Sequence, residues 1–119
     1  MLVSVQITNV TRHVILATHA RVADNSLTRL MGLLGKRAFP EGQALVLRPC
    51  SGIHTVGMRF AIDALYLDAR RRVIHAVSDL GPWRFGPLDP ATACVVEMPA
   101  GTIATTATAI GDEIFFSED

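Results

Sequence analysis

The sequence predicts an α+β domain that is mostly β, a compact barrel-like antiparallel or mixed sheet with one principal helix, and three observations predict it. Apolar and polar residues alternate in short runs, as Val3, Val5 and Ile7 do against Ser4, Gln6 and Thr8, which is the period of a strand with one wet face. One stretch, Leu27, Leu30, Met31 and Leu34, carries the three-and-four spacing of an apolar helical stripe. The 119 residues, 50% hydrophobic and 18% charged, are enough for one well-buried core and too few for two. Residues 1–119 therefore read as a single domain.

In chain order, the alternating start is followed by a short strand at Val14 to Ala17. Asp24, Asn25 and Ser26 offer caps for the helix, and Gly35 ends it. Lys36 to Gln43, with Pro40 and Gly42, reads as a loop before a strand at Ala44 to Arg48, which Pro49 closes. The centre is extended, Ile53 to Phe60 and then Ala64 to Asp68, and a tight connection at Ala69 to Arg71 makes a hairpin with Val73 to Ser78. Gly81, Pro82, Gly86, Pro87 and Pro90 make the next ten residues a loop. Ala93 to Met98 returns to strand, Thr102 to Ala109 reads as short helix or coil, and Ile114 to Phe116 is a final strand.

Charge and composition narrow the function classes. Eleven basic residues balance eleven acidic ones, which removes the diffuse positive field behind most nucleic-acid affinity, so no nucleic-acid partner is expected. No run approaches the roughly 18 apolar residues of a membrane span, so no membrane partner is expected either. The start MLVSVQITNV lacks the early charge and continuous apolar stretch of a secretory signal. A cytoplasmic chain with Cys50 and Cys94 as reduced thiols is the expectation.

Several runs, in this order, resemble the prokaryotic family known as domain of unknown function 192: Leu30-Met31-Gly32-Leu33-Leu34-Gly35-Lys36-Arg37, Ala61-Ile62-Asp63-Ala64-Leu65-Tyr66-Leu67-Asp68, Glu97-Met98-Pro99-Ala100-Gly101, and Gly111-Asp112. The resemblance spans about Arg21 to Phe116. Where the family usually shows Trp-Met and a Pro before the central Leu-Asp, this chain has His54-Thr55 and Ala61. The resemblance implies a compact, mostly β fold with one principal helix, and it implies no mechanism.

The segment from Cys50 to Arg59 is the richest in reactive side chains, with a thiol, hydroxyls, an imidazole and a guanidinium. Four residues of extended chain separate Cys50 from His54 by about 13 Å, too far for a Cys-His pair without a bend at Ser51-Gly52. Cys50, His54, His75 and Cys94 lack the paired short spacings of a zinc site, so neither a metal nor another cofactor is expected. His75 reads as exposed or as satisfied by a hydrogen bond. Asp63, just before the apolar run Ala64-Leu65-Tyr66-Leu67, is placed to accept backbone amides at a strand end. Asp112 reads as turn chemistry. Arg70, Arg71 and Arg72 form a basic run at a hairpin tip that could hold a phosphate or an acidic partner and that more often is a solvated turn. Trp83-Arg84 lies in a Gly/Pro loop, where the indole either plugs one end of the sheet or stands exposed for recognition.

The sequence therefore points to a non-catalytic binding or accessory module. Its expected surface comprises His54, Thr55, Arg59, Asp63, Trp83 and Arg84, for an unknown small-molecule or protein partner. If His54 to Arg59 is extended, Val56 and Met58 mark the inner face and draw His54 inward with them, leaving Arg59 at the rim. The alternative is a small hydrolase or transferase using Cys50 or His54 with Asp63. Cys94 should share a buried strand face with Val96 and Met98.

Overall fold

The structure is a computed structural model that describes residues 3–23 and 39–118. Among these residues lie nine strands: β1 (Val3–Asn9), β2 (Val14–Ala23), β3 (Gln43–Leu47), β4 (Gly52–His54), β5 (Ile62–Leu67), β6 (Val73–Leu80), β7 (Phe85–Leu88), β8 (Cys94–Pro99) and β9 (Ile114–Glu118). One helix, α1 (Thr102–Thr106), sits between β8 and β9. The helix expected at Leu27 to Leu34 lies outside the described residues. No described helix is long and apolar enough to cross a membrane.

Seven strands make one mixed sheet in the order β6-β5-β8-β3-β2-β1-β9. Only β2 and β3 run parallel; the other neighbours are antiparallel. The sheet curls until its two edges meet at one corner, where Arg72 bridges Glu113, Gly111 N–H donates to the Val73 carbonyl at 2.8 Å and Ile114 N–H to the Arg71 carbonyl at 2.9 Å. The expected mostly β, barrel-like architecture is the one observed.

Two apolar clusters hold the fold. The inner one gathers Val5, Ile7, Leu16, Val22, Val46, Leu65, Leu67, Cys94, Val96, Met98 and Ile114 within the curl. The outer one, Leu45, Leu47, Ile53, Met58, Ile62, Ala64, Tyr66 and Val95, lies on the opposite face. β5 is therefore buried on both sides, every residue of it, which is why it reads as a nearly continuous apolar run rather than an alternation. Cys94 is 2% exposed and shares the inner face with Val96 and Met98, as their spacing predicts.

A two-stranded ribbon, β4 with β7, covers the outer cluster, and here two expectations are corrected. The extended run from Ile53 to Phe60 stops at His54, because Met58 N–H turns back to the Thr55 carbonyl at 3.0 Å and Gly57 takes φ 84°, a conformation that costs glycine little. The loop from Gly81 to Pro90 contains β7 despite its Gly86 and Pro87. An edge strand needs only some of its amides, so a proline is tolerated there. Gly86 is required by close approach: a Cβ there would stand 2.6 Å from the Tyr66 hydroxyl.

Candidate recognition surface

Thr55 joins the two segments that sequence reasoning singled out. Its amide donates to the Arg84 carbonyl at 2.8 Å and its carbonyl accepts the Trp83 amide at 3.0 Å. Its hydroxyl accepts the Arg84 amide at 2.9 Å and donates to the Gly81 carbonyl. Thr55 is fully buried, so these bonds are shielded from water and the 81–84 turn is tied to the end of β4. Trp83 in that turn has φ 61°, a left-handed conformation unusual for a bulky residue. Its indole is nevertheless 64% exposed, which decides between plug and exposed ring in favour of the latter.

His54 stands beside this turn, paired with Phe85 across the ribbon, their ring centroids 6.2 Å apart. The inward placement expected for His54 is corrected: His54 is exposed and Thr55 is the buried member. The turn after His54 breaks the period-two alternation, so parity with Val56 no longer sets its direction. His54 Nδ1 accepts the Val56 amide at 3.2 Å, which fixes the ring at the lip of the ribbon. Phe85 is 77% and Leu88 80% exposed, and Arg59 and Arg84 are exposed as well. An indole, a phenyl ring, a leucine and an imidazole thus share one ribbon and its turn, with a guanidinium at the same turn.

Asp63 does not join them. Ile62 and Ala64 face the outer cluster, so Asp63 projects to the inner face. It is fully buried there, accepting Asp79 N–H at 2.8 Å, Gly101 N–H at 3.1 Å and Ile103 N–H at 2.8 Å. It anchors β6 and the start of α1 to β5. Cys50 packs against the outer cluster and donates its thiol to the Gly52 carbonyl at 3.0 Å. Cys50 and His54 therefore lie on one side of the sheet and the Asp63 carboxylate on the other.

Further polar groups lie beyond this surface, and Tyr66, Asp89 and Glu97 among them were not selected by sequence reasoning. Tyr66 donates to the Pro87 carbonyl at 2.6 Å, its pKa raised chiefly by burial. His75 meets the Tyr66 ring edge-on, centroids 5.2 Å apart, and its Nε2 lies 2.8 Å from Asp89 Oδ2; its hydrogen-bonded reading holds. The Ala91 amide and then His75 hold the Asp89 carboxyl below its usual range. Glu97 is buried on β8, and burial pushes its pKa up to about 8. A single glutamate within the apolar strand Cys94–Pro99 was the available signal. Asp112 is buried among Asn9, Arg12 and the Ala109 amide: burial pushes its pKa up, and these donors outweigh it and hold it low. Among the described residues no three His, Cys, Asp or Glu side chains gather as metal ligands.

Comparison with known proteins adds to this geometry. A protein of the UPF0127 group from Pyrococcus furiosus is 29% identical over 111 residues, covering 89% of this chain and 93% of its own. A solved protein of unknown function from Novosphingobium aromaticivorans superposes with a TM-score of 0.79 at 20% identity, covering 96% of this chain and 84% of its own. A Sinorhizobium meliloti protein, provisionally described as a transcription regulator, superposes with a TM-score of 0.80 at 15% identity, covering 98% of this chain and 94% of its own. These two structures share the fold. The profile of the family described as "Uncharacterized ACR, COG1430" matches residues 6–116, nearly the whole curled sheet and its ribbon, and the chain belongs to that family, DUF192.

Proposed function

We propose that this chain is a non-catalytic binding or accessory module that receives a small molecule or a protein partner on the surface of His54, Trp83, Arg84, Phe85 and Leu88. One observation carries this reading: Trp83 is held at φ 61° by the Thr55 bonds while its indole stays 64% exposed. A left-handed backbone costs a bulky residue about 1–2 kcal/mol. Folding alone would be served better by glycine, so the indole is retained for what it touches. Exposed Phe85 and Leu88 extend the apolar area, and Arg84 offers charge-assisted hydrogen bonds at its edge. The balanced net charge favours a protein or small-molecule partner over nucleic acid.

The hydrolase or transferase alternative is less well supported, because Asp63 commits both oxygens to backbone amides on the far face of the sheet. The test is capture from extract of the native host by the wild-type chain and by Trp83→Ala/Arg84→Ala, followed by a binding isotherm for each captured species. A species bound at least about tenfold more weakly by the variant supports the reading. Equal affinity for every captured species overturns it.

A further inference from the structure

Arg48 follows directly on β3. Its amide donates to the Ala23 carbonyl at 3.1 Å, the bond that closes the last β2–β3 pair, Ala23 with Leu47, and the chain bends at Arg48. Leu47 pairs with Val95 and the Cys50 amide donates to the Ala93 carbonyl at 3.3 Å, so Arg48 lies between two contacts that flank Cys94, a member of the inner cluster. Arg71 reaches the same end of the sheet from the β5–β6 turn. Its guanidinium carbon lies 4.0 Å above the centroid of the Phe116 ring, which packs against the inner cluster. Leu67, at the foot of that turn, pairs with Cys94. The Cys94 thiol reports both charges: burial pushes its pKa up, and Arg71 and Arg48 oppose that push.

Of the other arginines nearby, Arg70 is exposed to solvent, and Arg12 and Arg72 are neutralised. Arg12 is held by Asp112 at 2.9 Å, and Arg72 by Glu113 at 3.9 Å and the Gly111 carbonyl at 3.2 Å. Asp68, the acid of the same turn, accepts the Arg70 and Arg72 amides. Among the described residues, the guanidiniums of Arg48 and Arg71 have no carboxylate or carbonyl acceptor, and both residues are half-buried. Like charges brought to one half-buried place repel unless an anion joins them. A guanidinium stacked on a ring keeps its N–H edge available for an oxyanion. Thr92, two residues before Cys94, adds an independent sign: it is 8% exposed and its hydroxyl has no partner.

We propose that Arg48 and Arg71 form an oxyanion site at the Cys94 end of the inner face, taking a phosphate group with the Thr92 hydroxyl as a further donor. Bidentate guanidinium contacts suit a tetrahedral oxyanion. The group is supplied either by inorganic phosphate or by a phosphomonoester, and the two differ in whether anything beyond the phosphate is recognised.

The test is a 1H–15N NMR titration at constant ionic strength with inorganic phosphate and, separately, phenyl phosphate. Saturable shifts at the amides of residues 48, 71 and 92–94 are expected with at least one of them. Saturation by phenyl phosphate alone assigns the site to esters; saturation by both assigns it to the phosphate group itself. Arg48→Gln/Arg71→Gln should weaken the affinity about tenfold or more, Thr92→Val by a smaller factor, and Arg70→Gln not at all. Should the double variant fail to fold, Arg48→Lys and Arg71→Lys singly keep the charge and should each weaken binding. Shifts that do not saturate, that avoid residues 48, 71 and 92–94, or that survive the arginine substitutions overturn the proposal.

Discussion

The carbonyl of Thr55 accepts the amide of Trp83 at 3.0 Å, and the Thr55 hydroxyl takes the next amide, Arg84, at 2.9 Å. One buried threonine therefore sets the position of the exposed indole. Thr55→Val keeps the shape and removes the hydroxyl, leaving the Arg84 amide and the Gly81 carbonyl without their partner in a buried place. An unsatisfied buried group costs about 1–3 kcal/mol, so a loss of roughly 2 kcal/mol in urea unfolding is expected, with a fall in Trp83 fluorescence anisotropy. An unchanged midpoint and anisotropy would show that the hydroxyl does not hold the turn.

Asp63 is the corresponding anchor on the inner face, with three amide donors from Asp79, Gly101 and Ile103. Asp63→Asn keeps one acceptor oxygen and points an amide group at a backbone N–H. The expected cost is about 2–4 kcal/mol, since each hydrogen bond to a charged group contributes about 1.5–3 kcal/mol. Hydrogen exchange should quicken at Asp79 and Ile103. Exchange that quickens uniformly along the chain, with no excess at those two amides, would contradict the anchoring role.

The anchoring role of Asp63 was legible, because a carboxylate ahead of an apolar run can take strand-end amides. Its expected place on the recognition surface was not, because its buried carboxylate is taken up by amides of the inner face. β5 was legible because burial on both faces leaves a bare apolar stretch. The direction of His54 was not. Its alternation with Val56 and Met58 is genuine in sequence, but the turn at Gly57 cancels it, and whether such a glycine bends the chain depends on the Thr55–Met58 bond. β7 was hidden behind Gly86 and Pro87, residues that read as loop and here serve close packing on Tyr66. The burial of Glu97 was not legible for a tertiary reason: it alternates with Val96 and Met98 of the inner cluster, a pattern that does not show what covers the other face. Its face carries the second core cluster.

Glu97 should make the protein less stable as pH rises. Its pKa is about 8 when folded against 4.5 as the ordinary value, so below 4.5 both states hold the proton and stability is complete. From there to about pH 8 the unfolded chain releases the proton and the folded one does not, and stability falls by up to about 5 kcal/mol, at 1.36 kcal/mol per pKa unit. Glu97→Gln should flatten that slope and exceed wild type at pH 8. Parallel stability profiles for the two proteins between pH 5 and 8 would show that Glu97 is not a buried acid.

Asp112 works in the opposite direction. Its pKa lies below the ordinary 3.8 because the Arg12, Asn9 and Ala109 donors outweigh burial. Its contribution is therefore present above that ordinary value and lost as pH falls through the folded one. Asp112→Asn should lower stability at pH 7 and reduce the drop seen between pH 5 and pH 2. An acid-unfolding curve as steep as that of the wild type would assign the drop to other carboxylates, such as Asp89, whose pKa is also low.

The last expectation separates what Trp83 does for folding from what it does for recognition. At φ 61° a tryptophan carries a backbone cost that glycine does not, and an indole 64% exposed returns little by burial. Trp83→Gly relieves about 1–2 kcal/mol of left-handed strain and gives back about 0.5–1 kcal/mol through the freer unfolded chain. The variant should consequently unfold within about 1 kcal/mol of wild type, on the stable side. The amides of Trp83 and Arg84 remain, so the Thr55 bonds persist and the turn keeps its place. Equilibrium denaturation decides the matter: a loss of more than about 2 kcal/mol, the size of a buried aromatic's contribution, would mean that the indole packs as core and that its exposure is not held for a partner.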